Sequence, residues 1–173
     1  MKLRAKDCRP FFDAVDEKAK EMGVAVTTAV VGPEGHLIAL ERMDGAGFIT
    51  PDTAIAKAYT VAAFRSMSPR FPDGLVIQQW FKERNPQLMA NASVFSNGKI
   101  AASGGSHPVF QGNEMIGAYA ISGATSGQDE EIAEYARKKV GWDKTAADDS
   151  VAEGVKEHIN DIYAEVGLGN RKL

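Results

Sequence analysis

VAVTTAVVGPEGHLIALERM, residues 24–43, contains two apolar runs separated by the four residues PEGH. The first run is β-branched and apolar on both faces, which predicts a central strand; the second carries charges and predicts a more exposed strand. So short a connection joins antiparallel neighbours in a hairpin. A later run, MIGAYAIS at 115–122, is again apolar on both sides and predicts another buried strand. The stretch therefore predicts an antiparallel sheet.

Helical periodicity surrounds these strands. It is found in five segments: 5–22, 50–66, 73–84, 129–140 and 151–166. Gly23 stands where a helix C-terminal cap belongs, and Thr50 before Pro51 is typical of a helix start. Thr125 and Gln128 have the spacing of a capping box. The sequence predicts an α/β fold of the α+β kind, in which helices pack on the antiparallel sheet.

Composition excludes several classes of function. The chain has 173 residues, enough for one domain, and a net charge of −3 without a cluster of Lys, Arg and aromatic residues, so we expect no nucleic-acid partner. Cys8 is the single cysteine, which rules out an internal disulfide, and three scattered histidines predict no metal site. Because the sequence contains neither a signal-peptide core nor a membrane-spanning run, we expect a cytoplasmic protein without a membrane partner.

Lys57 is the most informative charge. It is the only cation between Thr53 and Phe64, in a helix that is otherwise mostly apolar. Two interpretations are open. The side chain extends along the helix to a solvated tip, or it enters a lined cavity where it meets an anionic partner or acts as a base.

Three loops contain further candidate residues. The first loop is SGGSHP, residues 103–108, in which Gly104 and Gly105 expose main-chain amides. His107 in the same loop is a candidate acid or base. The alternative is a strand-entry loop with an exposed histidine. Asp44 either stabilises its own turn or orients Lys57 or a ligand hydroxyl. Ser122 and Gly123 precede a helix start, where amides bind anions or simply cap the helix.

Four segments together carry a resemblance to the GlcG/HbpS family, often described as haem-degrading, which includes the C-terminal domain of PduO-type adenosyltransferases. They are VAVTTAVVGPEGHLIALERMDGA, AIAKAYTVAAF, SGGSHPVF and IGAYAISGATSGQDEEIAEYA, in that order. The resemblance covers about residues 5–140. It implies a profilin-like fold with a five-stranded antiparallel sheet between helices, and a homo-oligomer. We assign residues 1–142 to this domain and 143–173 to a C-terminal helical extension.

The resemblance also bears on activity. GFITPDTAIAKAY, residues 47–59, resembles the hydroxylaminobenzoate lyase branch, whose members convert a hydroxylaminoarene carboxylate to a catechol with release of ammonia. Haem-binding relatives carry a histidine ligand on the first helix, and DCRPFFDAVDEKAKEM has none.

The hypothesis is therefore a cofactor-independent lyase that uses acid–base chemistry on a small anionic, aromatic substrate. Lys57, His107 and Asp44 are its candidate catalytic residues. The candidate ligand-binding residues are Phe48, Tyr59, Gly104, Gly105, Ser122 and Gly123, with Trp80 as a further wall. The alternatives are a haem or tetrapyrrole carrier without turnover and an oligomeric accessory protein.

Overall fold

Four antiparallel strands form one sheet within residues 2–148, the part of the chain that the computed structural model describes. In chain order they are β1 (Thr27–Val31), β2 (Leu37–Arg42), β3 (Ser106–Gln111) and β4 (Glu114–Ser122). Their order across the sheet is β2-β1-β4-β3, with every neighbouring pair antiparallel. The predicted antiparallel sheet is confirmed.

The pattern of burial also follows the prediction. Every residue of β1 is buried, whereas β2 is partly exposed along its whole length. β4 lies between β1 and β3 and is buried from Ile116 to Ser122. Runs that are apolar on both faces therefore form the two central strands, because helices cover both sides of the sheet there.

The prediction of five strands is wrong for the part of the chain described here, where the sheet has four. The sequence NGKIAASGG, from Asn97 onward, predicts a return to strands, but residues 99–103 form no strand. Their main chain is directed to a helix instead, since the amide of Ala101 donates to the hydroxyl of Thr60 at 2.8 Å. Beyond β3 there is a single bridge, in which Phe110 donates to the carbonyl of Asp143 at 2.7 Å.

Five α-helices complete the described structure. They are α1 (Arg9–Glu21), α2 (Thr50–Met67), α3 (Gly74–Arg84), α4 (Pro86–Phe95) and α5 (Ser126–Val140), and a short 3₁₀ turn (Ala5–Cys8) precedes α1. The predicted capping box of Thr125 and Gln128 is confirmed. Thr50 is the first residue of α2 rather than its cap, and its hydroxyl donates to the carbonyl of Gly47.

The helices form a layer on each side of the sheet. α1 and α5 pack against each other on one face, where Phe11 stacks on Trp142 and lies 4.5 Å from the Tyr119 ring. α2 covers the other face with α3 beside it. Side chains of β4 alternate between the layers, so that Tyr119 belongs to the first core and the small Ala118 and Ala120 to the second.

The segment after α5 lies beside the β3–β4 hairpin. Ala147 donates to the carbonyl of Gly112, and Asp148 donates to the side chain of Asn113. The helix predicted from Ser150 lies outside the described residues, so the assignment of 143–173 as a helical extension stays a prediction. None of the helices within residues 2–148 has the length and apolar character needed to cross a bilayer.

Candidate functional site

A buried ion pair joins α2 to α5 at the end of the sheet. The ammonium of Lys57 lies 3.1 Å from a carboxylate oxygen of Asp129, and both side chains are 5% exposed. The ammonium also donates to the main-chain carbonyl of Ile121, at the end of β4. The partner of Lys57 is therefore an anion of the chain itself. Of the two interpretations of this lysine, the solvated tip is wrong, because the side chain is buried and its ammonium is bound within the protein.

Burial acts on both members of this pair. Desolvation lowers the pKa of Lys57, against the opposing effect of the Asp129 charge. Desolvation likewise raises the pKa of Asp129, against the charge and hydrogen bond of Lys57. Both pKa shifts favour the neutral forms of the two side chains. The free energy needed to move a proton from Lys57 to Asp129 is therefore lower than for the same two groups in water.

One hydrogen of the ammonium has no acceptor within residues 2–148. A protonated lysine has three N–H donors, and its described acceptors are the Asp129 carboxylate and the Ile121 carbonyl. Groups of the chain itself therefore hold the amine in place from two directions.

A hydroxyl-lined loop lies over the pair. Ser122 follows Ile121 directly and shares a 2.7 Å hydrogen bond with Thr53 on the first turns of α2. The next residues of the loop, Gly123 to Ser126, lie at or near the surface, and the amide of Ala124 donates to Asp129 at 3.1 Å. The loop is thus tied both to α2, through Thr53, and to the Asp129 member of the pair.

The amides of the paired glycines are already engaged. Gly104 donates to the hydroxyl of Ser126 at 3.0 Å, and Gly105 donates to the carboxylate of Glu130 at 2.7 Å. Both glycines are packed closely, since a Cβ on Gly105 would lie 2.6 Å from that of Asp129. These two amides are therefore not free to bind a substrate.

His107 lies on β3 with no solvent exposure, so the alternative of an exposed loop histidine is wrong. Its Nε2 lies 2.9 Å from Glu130 and 4.0 Å from Glu134, both on the buried side of α5. Neither ring nitrogen makes an aligned hydrogen bond within the described structure. Burial by itself raises the pKa of Glu130, but His107 and the Gly105 amide hold it below its ordinary value.

Main-chain groups connect this cluster to the lysine–aspartate pair. Glu130 accepts from the Gly105 amide, the Gly105 carbonyl accepts from Ile121, and the Ile121 carbonyl accepts from Lys57. The main-chain groups of two residues, Gly105 and Ile121, thus link the two buried clusters of charge.

The other predicted site residues lie apart from the pair. Asp44 is exposed in the turn after β2 and does not contact Lys57. Phe48 is 89% exposed on the loop before α2. Tyr59 packs against Gly35 in the β1–β2 turn, and Trp80 lies in an aromatic cluster with Phe71 and Phe81. The Lys57 ammonium contacts Ile121, the residue before Ser122, and none of these four residues is among its hydrogen-bond partners within residues 2–148.

Sequence reasoning missed the carboxylates of α5. Asp129 has the helical spacing of the buried residues Ile132, Ala133 and Ala136, so an acidic residue occupies the apolar stripe of an amphipathic helix. This position is a detectable signal, because a buried carboxylate requires a partner.

The single cysteine, Cys8, is buried as its place among the apolar positions of the first helical segment predicts. Burial raises the pKa of its thiol to about 11.

Comparison with known proteins adds a family match. Residues 3–138 match the family described as haem degrading protein HbpS-like. The chain is also 30% identical over 123 residues to an uncharacterized 15.0 kDa protein from the dhaT-dhaS intergenic region of Citrobacter freundii. That alignment covers 71% of this chain and 81% of the relative.

Two solved structures have a similar fold. A PduOC:heme complex superimposes with a TM-score of 0.71 at 22% identity, covering 83% of this chain and 99% of that one. The protein ORFY of Klebsiella pneumoniae superimposes with a TM-score of 0.68 at 26% identity, covering 80% and 90% respectively.

Proposed function

Since the chain belongs to the HbpS-like haem-degrading family, we propose that it is a lyase of that family which uses Lys57 for acid–base chemistry on a small anionic, aromatic substrate. A hydroxylaminobenzoate is the substrate that the sequence around Lys57 favours. The observation that carries the proposal is the buried ammonium, which is held in a fixed position by Asp129 and Ile121. Such a group is oriented before the substrate arrives.

The reaction needs a proton donor but no outside redox partner. Conversion of hydroxylaminobenzoate to dihydroxybenzoate consumes one water and releases ammonia. The reaction is redox-neutral, because the nitrogen is reduced by two electrons while the ring is oxidised by two. The N–O bond breaks with its electrons on the departing hydroxyl. A proton from Lys57 turns that hydroxyl into water, water supplies the two ring hydroxyls, and the C–N bond breaks to release ammonia.

Asp129 is a positioning residue in this scheme. It holds the amine beneath the loop at 3.1 Å, and desolvation of the pair makes loss of the lysine proton easier, since it lowers the pKa of Lys57. Ser122 directly follows Ile121, the acceptor of the Lys57 ammonium, and with Gly123 it is the part of the predicted ligand-binding set that we expect to contact the substrate.

The test is ammonia release from 4-hydroxylaminobenzoate by the purified chain. Because Lys57→Met alone leaves Asp129 unpaired, we use Lys57→Met combined with Asp129→Asn, in which neither charge remains. We expect the rate to fall at least about a hundredfold, the size of effect attributed to a positioned general acid. Circular dichroism confirms that the double variant is folded.

A matched control makes the same two substitutions in an exposed pair. Lys20 and Asp16 form an ion pair on the surface of α1, and Lys20→Met with Asp16→Asn is expected to keep the wild-type rate. Absence of ammonia release by the wild type contradicts the proposed activity. A folded Lys57/Asp129 double variant with the wild-type rate contradicts the role of Lys57.

Haem binding is the second candidate, favoured by the fold shared with a haem complex. The histidines of the described residues do not fit the position where haem-binding relatives carry their ligand. α1 contains no histidine, and His107 is buried against Glu130. His36, in the β1–β2 turn, is exposed. Within residues 2–148, an axial imidazole would therefore have to come from that turn.

A haem titration followed by absorbance separates the two candidates. We expect no Soret shift at micromolar haem, because no histidine is presented on α1. A saturable Soret band that is lost in His36→Ala or His107→Ala would instead support the carrier function. If both activities are absent, the oligomeric accessory protein remains, and homo-oligomerisation itself stays a prediction to be measured by light scattering.

A further inference from the structure

We propose that His107, Glu130 and Glu134 form a site for one divalent transition-metal ion such as Zn²⁺, in a position that the proposed lyase chemistry does not use. One imidazole nitrogen and two carboxylate oxygens of these residues all lie within 4.8 Å of one another, and all three side chains are buried. This proposal departs from the prediction of no metal site, which considered histidine spacing in the sequence and not the carboxylates of α5.

The distances suit a small ion. A tetrahedral ion with bonds of about 2.1 Å holds its ligand atoms about 3.4 Å apart. Nε2 of His107 lies 2.9 Å from Glu130 and 4.0 Å from Glu134, values on either side of that separation. Small rotations of these side chains are therefore sufficient to place three ligands around one ion. A water molecule would complete the coordination.

The imidazole is the independent indication of a ligand. His107 has no solvent exposure, and neither of its nitrogens has an aligned hydrogen bond within the described residues. Nε2 faces the Glu130 carboxylate at 2.9 Å without the alignment of a hydrogen bond, and a metal ion bound by both groups would satisfy them together. The donor set of one imidazole and two carboxylates is one that Zn²⁺, Fe²⁺ and Mn²⁺ accept.

Surrounding groups already orient the ligands. The Gly105 amide holds one oxygen of Glu130 at 2.7 Å, leaving the other oxygen beside His107. Arg137 holds one oxygen of Glu134 at 2.8 Å. Such contacts around the ligands fix their geometry and increase metal affinity.

Lys144 occupies the place that an ion would take on Glu134. Its ammonium lies 2.7 Å from the same carboxylate oxygen that faces His107, and its side chain is 12% exposed. A divalent ion must therefore displace this ammonium. The position of the Lys144 ammonium marks the side from which we expect the ion to enter. The competition makes a specific prediction: removing Lys144 strengthens metal binding, whereas removing a ligand weakens it.

The experiment measures Zn²⁺ affinity by calorimetry on chelator-treated protein, with the stoichiometry checked by elemental analysis. We expect one Zn²⁺ per wild-type chain. His107→Gln and Glu130→Gln should each weaken binding at least tenfold, and Lys144→Met should tighten it by about tenfold because the competing cation is absent. Lys144→Met keeps all three ligands, so it tests the site even if a ligand variant fails to fold.

Two control variants exclude other binding modes. Glu131→Gln changes the exposed neighbour of Glu130, and His36→Gln changes the exposed histidine; neither should alter Zn²⁺ affinity. The proposal is overturned if the wild type binds no Zn²⁺, if Lys144→Met leaves the affinity unchanged, or if His36→Gln abolishes binding. None of these measurements depends on lyase activity, so the two proposals fail separately.

Discussion

Lys57→Met is expected to destabilise the fold by about 3–5 kcal/mol, measured as the free energy of urea unfolding. The substitution removes the cation from a pair in which both side chains are 5% exposed, and it leaves the Asp129 carboxylate buried without its counter-ion. It also removes the donor to the Ile121 carbonyl. The cost comes mainly from the charge that remains, not from the interaction that is lost.

The double variant separates those contributions. Combining Lys57→Met with Asp129→Asn removes both charges, so we expect it to be more stable than Lys57→Met alone by at least about 2 kcal/mol. An asparagine can still accept from the Ala124 amide at the start of α5. Lys20→Met, in an exposed pair, should leave the unfolding midpoint unchanged. Equal stability of the single and double variants would show that the pair does not matter to the fold.

Gly105→Ala should be the most damaging glycine substitution in the site. Gly105 has φ +78°, and an added Cβ would lie 2.6 Å from Cβ and 2.8 Å from the carbonyl carbon of Asp129. Backbone strain contributes about 1 kcal/mol, and forced displacement of α5 adds about 1–3 kcal/mol. The shift would also separate the Gly105 amide from Glu130. Thermal unfolding measures the sum.

Gly141→Ala is the matched control for that prediction. Gly141 follows α5 with φ +71°, and no atom lies within 4 Å of the position of its Cβ. It therefore tests the cost of the backbone conformation without the clash, and we expect only about 1 kcal/mol. If Gly105→Ala is no more destabilising than Gly141→Ala, then the loop and α5 are not closely packed in solution.

The strands and helices were largely predictable because their signals are local. The apolar runs at β1 and β4 indicated central strands, and the spacing of Thr125 and Gln128 located the start of α5. The conformation of residues 99–103 was not predictable from the sequence. Whether their main chain pairs with a strand or with the Thr60 hydroxyl depends on how close α2 lies to them, which is a tertiary property.

The site was predictable only in part, for the same reason. Lys57 was recognised because a lone cation in an apolar helix needs a partner. Its partner Asp129 lies 72 residues away on another helix, and no spacing rule relates the two positions. The SGGSHP loop was interpreted as open to a ligand, whereas its amides bind side chains of α5, because sequence alone does not show which element packs on a loop.

The outer edge of β3 has a consequence for how copies of this chain can associate. Pro108 provides no amide hydrogen there, and the amide of Phe110 is already bonded to Asp143. An edge with so few free donors is a poor template for a strand from another molecule. Continuous intermolecular sheets through this edge are therefore disfavoured, and association of two copies at β3 would have to use contacts between side chains.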